Sequence, residues 1–149
     1  MRTLILGLGN ELLGDEGVGV HGVRLLQELA LPENSVVLEI GTAILDALPE
    51  LEQAERVIVL DAMKERSRAG TVYKIPLDHC SGSPCIASMH GFDIFRVMAL
   101  TGRAEPPPVM VFGVEPEMIG WSMALSPSVA ESLPYLVEAV LQELKTPHC

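Results

Sequence analysis

Basic residues are scarce in this sequence: its 149 residues hold ten lysines and arginines against twenty aspartates and glutamates, a formal net charge of -10. The ten cations are scattered, whereas a nucleic-acid binder carries a basic stripe, so nucleic acid is not the expected partner. The acidic balance, with a pI near 4.7, favours solubility and by itself says little more. Cysteine is scarce too, and an odd count of three argues against a disulfide framework. Cys80 and Cys85 stand beside Asp78 and His79, which suggests a metal clip. Structural zinc sites take four ligands, so a loop with two small, semi-apolar residues is the preferred reading. Cys149, the last residue, is expected to be mobile and free. Long apolar runs are missing: each is broken by Gly, Pro or charge, and none approaches the ~20 residues of a membrane span. The opening Met1–Gly7 has one basic residue and an apolar stretch too short for a signal peptide. A soluble, cytoplasmic protein is expected.

What the sequence has is apolar material for one core. Hydrophobic residues make up 48% of it and its mean hydropathy is +0.33. A chain of this length suits one domain, which would bury roughly 70% of the unfolded chain's surface. Thr3–Leu6 reads as a buried strand entering the tight loop Gly7-Leu8-Gly9-Asn10. Asp15 is a candidate N-cap for a helix from about Glu16 to Ala30, with Val20, Val23, Leu26 and Leu29 as its apolar stripe. Val36–Ile40 is a second strand, and Ala43–Ala54 a second helix that Pro49 either kinks or divides. Val57–Leu60 runs straight into Asp61 as the clearest strand. No helix-length pattern separates it from Thr71–Ile75, so that fourth strand is expected antiparallel to the third. A loop with Pro76, Gly82 and Pro84 leads to a helix from about Met89 to Leu100, and Pro106-Pro107-Pro108 precedes a last strand, Val109–Gly113. Ser126-Pro127, an N-cap followed by Pro at the first helical position, opens a helix to about Leu144. Alternating helices and strands apolar on both faces predict a single-domain, three-layer α/β sandwich. Its twisted sheet has about five strands, mostly parallel with one antiparallel, and helices cover both faces.

Ligands of such sheets bind beyond the carboxyl ends of the strands. There, Gly7-Leu8-Gly9-Asn10-Glu11-Leu12 invites comparison with the dinucleotide fingerprint, with Glu39 as the ribose-holding acid. Leu12 replaces the third glycine, and Asp15 and Glu16 occupy a helix start that would need to attract an anion, so a dinucleotide is the weaker reading. Gly17, Gly19 and Gly22 each cost about 1 kcal/mol of helix stability relative to Ala. Either the helix packs tightly on the sheet there or something binds close to its backbone.

Residues 7–19, Gly-Leu-Gly-Asn-Glu-Leu-Leu-Gly-Asp-Glu-Gly-Val-Gly, resemble the opening motif of the hydrogenase maturation endopeptidases. The likeness continues through Glu39-Ile40-Gly41-Thr42, Val59-Leu60-Asp61-Ala62, Ser88-Met89-His90-Gly91 and Leu125-Ser126-Pro127, so it covers nearly the whole chain in order. The resemblance implies one maturation protease domain over residues 1–149. It implies an enzyme that clips a C-terminal peptide from the nickel-loaded precursor of a nickel–iron hydrogenase large subunit. It also places the family's metal-binding carboxylates and histidine on Glu16, Asp61 and His90.

Position is compatible with that set: Glu16 follows the first strand, Asp61 ends the third, and His90 opens the helix after the fourth. Taken alone, Glu16 would serve a helix dipole and His90 a helix cap, while an Asp closing a buried strand is either functional or hydrogen-bonded. Asp15 is kept as a cap or outer partner of the site, His21 as structural, His79 as the alternative to His90, and Asp93 as a support for the imidazole or its helix. Two carboxylates and one imidazole are an incomplete ligand set, open to water or a partner's donors. The resemblance implies that the metal is nickel and arrives with the precursor, and other divalent metals are able to occupy the site.

No Ser or Cys stands in a nucleophile elbow and no two-histidine zincin motif is present. Asp61 and Glu16 are the candidate catalytic carboxylates, acting beside a metal-bound water; a metal used only for recognition is the rival. One copy suffices for the complex, which is compatible with a monomer and leaves the oligomeric state open. The alternatives are a nickel or precursor chaperone without protease activity and, further off, a nucleotide-dependent oxidoreductase. Trp121 and Met123 either cover the core or form an exposed contact for the precursor.

Overall fold

A computed structural model describes residues 1–77 and 88–146. Asp78, His79, Cys80, Gly82, Pro84, Cys85 and Cys149, and the readings attached to them, lie outside the described residues. Five strands form one sheet: β1 (Thr3–Leu8), β2 (Ser35–Gly41), β3 (Arg56–Ala62), β4 (Val72–Pro76) and β5 (Val109–Val114). Their order is β2-β1-β3-β5-β4, all parallel except the β4–β5 pair. The helices are α1 (Val18–Gln27), α2 (Leu48–Leu51), α3 (Gly91–Ala99) and α4 (Pro127–Lys145).

Alternation along the central strands sorts side chains into two cores, as a period of two requires. Leu4, Leu6, Val57 and Val59 pack with Leu51 of α2 and with Ile94 and Val97 of α3. Ile5, Ile58 and Leu60 face the other way, onto Val23 and Leu26 of α1 and Leu136 and Val140 of α4. The result is the expected single-domain, three-layer α/β sandwich. The glycines of α1 serve this packing: a Cβ on Gly19 would run into the carbonyl oxygens of Leu60 and Leu8, so the helix lies against the sheet backbone.

The structure amends several boundaries. Asp15–Gly17 form a 3-10 turn, so α1 begins at Val18 and ends at Gln27, leaving Leu29 exposed beyond it. The second helix is divided rather than kinked: Ile44–Ala47 is a 3-10 turn, and Pro49 stands in the first turn of α2, where no intrahelical N–H is needed. β4 runs antiparallel to β3 in direction but does not pair with it. Both edges of β3 are taken by β1 and β5, and β4 hydrogen-bonds to the outer side of β5. Exposed Lys74 and the terminal Pro76 suit that edge position.

Strand order reverses beside β1, whose two neighbours are reached by crossovers on opposite faces of the sheet. In such sheets this switch point, at the carboxyl ends of β1 and β3, is where ligands bind.

Candidate active site

The loop that leaves β1 is folded tightly back over the start of α1. Gly9 has φ +112°, and a Cβ there would meet the carbonyl oxygen of Glu16, so only glycine fits. Asn10 Oδ1 accepts from Leu12 N at 3.0 Å, and Asn10 N points to Glu16 Oε1 at 3.4 Å. Glu16 is thereby turned across the end of the sheet.

Asp15 points elsewhere. Fully buried, it makes no cap bond to its own helix. Its carboxylate accepts from Glu117 N and Met118 N at 2.9 Å each, Ser126 N at 2.8 Å and Ser126 Oγ at 2.7 Å. Burial works to raise its pKa, but the N–H groups of Met118, Ser126 and Glu117 and the Ser126 hydroxyl outweigh burial and hold it below its ordinary value. Ser126 keeps the N-cap position of α4 while its hydroxyl serves Asp15 instead of the helix.

Asp61 lies one residue before the end of β3 with no exposed surface. The chain returning from β4 is laid along the end of β3 by Met89 N donating to Ala62 O at 3.0 Å and by a bridge between Met63 and Ser88. This brings Ser88 and His90 onto Asp61. Ser88 Oγ donates to Asp61 Oδ2 at 2.8 Å and accepts from Gly91 N at 3.1 Å, so it caps α3 from outside the N-cap position. His90, the N-cap residue, donates its backbone N–H to Asp61 Oδ2 at 2.6 Å, and its Nδ1 lies 3.0 Å from Oδ1. Its Nε2 is 3.2 Å from Glu16 Oε1. The imidazole thus sits between the two carboxylates. Its pKa is raised by the hydrogen bond to Asp61, against the opposing effect of burial, with the charges of Asp61, Glu16 and Asp93 adding to the rise.

The structure therefore brings Glu16, Asp61 and His90 together in a hydrogen-bonded chain. Their donors do not converge on one point, because the ring separates the carboxylates; among the described residues no group of three or more His, Cys, Asp and Glu stands as a metal cluster. Asp61 is sealed, while the side chains of Glu16 and His90 keep 10% and 16% of their surface. The chain is open to solvent only at its Glu16–His90 end.

Asp93, in the first turn of α3, acts on His90 through its charge. His21 is half-buried on α1 with no partner for Nε2 among the described residues, and burial lowers its pKa. Glu39, the candidate ribose acid, is gripped by Arg24 at 2.7 and 3.0 Å, and Arg24 also holds Glu11. Ser88 is the functional neighbour that sequence reasoning missed. Its signal was present, a serine three residues before the first N–H of a helix and two before the histidine.

A family model described as HycI, hydrogenase maturation protease, matches residues 20–143. The hydrogenase 2 maturation protease of Escherichia coli is 31% identical, over 97% of this chain and 92% of that protein. The hydrogenase expression/formation protein HupD of Rhodobacter capsulatus is 34% identical, over 97% of this chain and 71% of that protein. The solved structure of the hydrogenase maturating endopeptidase HybD from E. coli superposes with a TM-score of 0.82 at 28% identity, covering 97% of this chain and 93% of that one. The present chain thus belongs to the hydrogenase maturation proteases.

Proposed function

We propose that this protease removes a short C-terminal peptide from the nickel-loaded precursor of a nickel–iron hydrogenase large subunit, and that Glu16, Asp61 and His90 read the nickel. The observation that carries the reading is the joining of these three residues at the switch point, with Glu16 and His90 reachable from solvent.

The donor types suit such an ion, although the three residues form a chain and not a ready-made cage. Carboxylate oxygens and an imidazole nitrogen suit a divalent first-row metal, and an incomplete set leaves positions for the precursor's own donors. Glu16 and His90, whose side chains meet at 3.2 Å, are the residues that would hold such an ion at the open end of the site. Asp61 meanwhile fixes the tautomer, because its bond to Nδ1 keeps the proton there and turns the Nε2 lone pair outward. Glu16 is also the carboxylate able to take a proton from an attacking water, since its side chain keeps contact with solvent while that of Asp61 is sealed and hydrogen-bonded to Ser88 and His90. Metal affinity of the isolated protein is then weak and falls with acidification, as the raised pKa of His90 makes the proton a stronger competitor. A cytoplasmic location and one copy per precursor belong to the same proposal.

Mass spectrometry of the large-subunit precursor after incubation with the protein tests this reading. Loss of a C-terminal peptide from the nickel-loaded precursor, with no change to the nickel-free one, is the expected result. Binding without any change in mass would instead make the protein a chaperone.

A further inference from the structure

Beside the site, four large apolar side chains stand in water: Leu12, Met118, Met123 and Trp121, the last with 85% of its surface exposed. They do not cover either core. The two segments that carry them are hydrogen-bonded to each other, by Ser122 N to Leu12 O at 2.9 Å, Gly14 N to Ser122 O at 2.7 Å and Gly120 N to Leu13 O at 3.3 Å. Bridges between Leu13 and Ser122 and between Gly14 and Ile119 set them in register. Asp15 clamps the same segments through Glu117, Met118 and Ser126. The apolar side chains are therefore displayed on a fixed scaffold, and it is continuous with the site: Glu16 follows Asp15 in the chain and meets Asn10 on the same loop. Exposed apolar surface held in this way marks a contact surface.

Charge selects the occupant. The ionisable groups of the adjoining site are Glu16, Asp61 and Asp93 around a single imidazole, within a chain of net charge -10. A second copy would set like charge against like. A partner that offers apolar residues next to a bound metal cation matches both the platform and the site. We infer that Leu12, Met118, Trp121 and Met123 form the docking surface for the apolar stretch of the precursor that flanks its metal centre. The inference rests on the maturation-protease reading above.

Trp121 is the only tryptophan in the chain, so 5-fluorotryptophan incorporation gives one 19F signal at the platform. Adding nickel-loaded large-subunit precursor should shift that signal. The double variant Trp121→Ser, Met123→Ser should raise KM roughly tenfold or more while kcat changes little, as expected for loss of contact hot spots. Because both side chains are exposed, the variant should keep the wild-type circular dichroism and melting temperature. Leu100→Ser, an equally exposed apolar residue at the far end of α3, should leave KM unchanged. An unmoved 19F signal in a complex that still cleaves would overturn the inference, as would an equal loss in Leu100→Ser. A shift that follows the protein's own concentration would overturn it in favour of a second copy. If the unmodified protein neither binds nor cleaves the precursor, the maturation reading itself fails and the docking surface falls with it.

Discussion

The two ends of the sheet hold buried charge of opposite sign. At the amino end the cations are arginines, Arg56 buried and Arg103 half-buried. Arg56 donates to Thr3 Oγ1 at 3.2 Å and to the carbonyl oxygens of Glu143 and Thr146, while Arg103 donates to those of Leu51 and Ala54. Those carbonyls belong to the last turns of α4 and α2 or follow just after them. At the carboxyl end the buried groups are acids. Asp15 takes the N–H of Ser126 at the start of α4, and Asp61 takes the N–H of His90 at the start of α3. The same electrostatics act in both places, cations on the negative ends of helices and anions on the positive ends. The ends differ in what is left over. The two arginines spend their bonds on carbonyl groups and the Thr3 hydroxyl and fasten chain ends together, while the acid end leaves Glu16 and His90 reachable. Anchoring and chemistry are thus segregated along the strand direction.

Substitutions that separate anchoring from chemistry test that division. Asp61→Asn should have the largest effect. It sets an amide where three donors now point, so processing of the precursor should fall by about 100-fold and stability by about 2 kcal/mol in urea unfolding. Retained cleavage with weakened precursor binding would show that Asp61 serves recognition alone. Arg56→Met should cost about 2 kcal/mol of stability by removing the buried hydrogen bond to Thr3 Oγ1 and the part-buried ones to the carbonyl oxygens of Glu143 and Thr146, with kcat/KM unchanged for the folded fraction. A fall in kcat/KM beyond the loss of folded protein would break the comparison.

The smallest effect is expected from Glu115→Gln, which probes an acid at the carboxyl end outside the His90 chain. Burial works to raise the pKa of Glu115, but the Tyr73 hydroxyl and the N–H groups of Glu65 and Ser67 outweigh it and hold the group below its ordinary value. A carboxylate depressed in the folded state adds stability above its unfolded pKa and loses it as pH falls through the folded one. The wild type should therefore lose this contribution progressively from about pH 4.5 downward. The variant should flatten that limb of the acid titration, with about 1 kcal/mol less stability at neutral pH. An unchanged acid limb, followed by circular dichroism, would remove Glu115 from the set of stabilising acids.

The parts of the fold legible in the sequence are those set by local pattern. β1, β3 and β5 are compact apolar runs, and Ser126-Pro127 marks the start of α4. The sheet neighbour of β4 was not legible, because it depends on which strand edge remains free once β5 has paired with β3. Glu16, Asp61 and His90 were nameable because the motifs around them resemble a family. Their linear arrangement was not, since it depends on a Met63–Ser88 bridge between residues 25 apart in number and on the rotamer that Ser88 imposes on Asp61. Asp15 shows the same limit. Its sequence position suggested a helix cap, whereas its partners lie more than 100 residues away.

The order of strands also dictates when the site can exist. The chain between Asp61 and His90 travels outward to form β4, yet β4 has nothing to pair with until β5 has been inserted between it and β3. Asp15 likewise waits for Ser126 before its loop can close. A nascent chain that has just passed His90 on the ribosome would carry all three candidate ligands and lack the framework that aligns them. Contacts of such long range form late, after the intervening loops have been closed. The protease would acquire its site only when synthesis has reached the beginning of α4, so that a stalled or truncated product is inert rather than partly active.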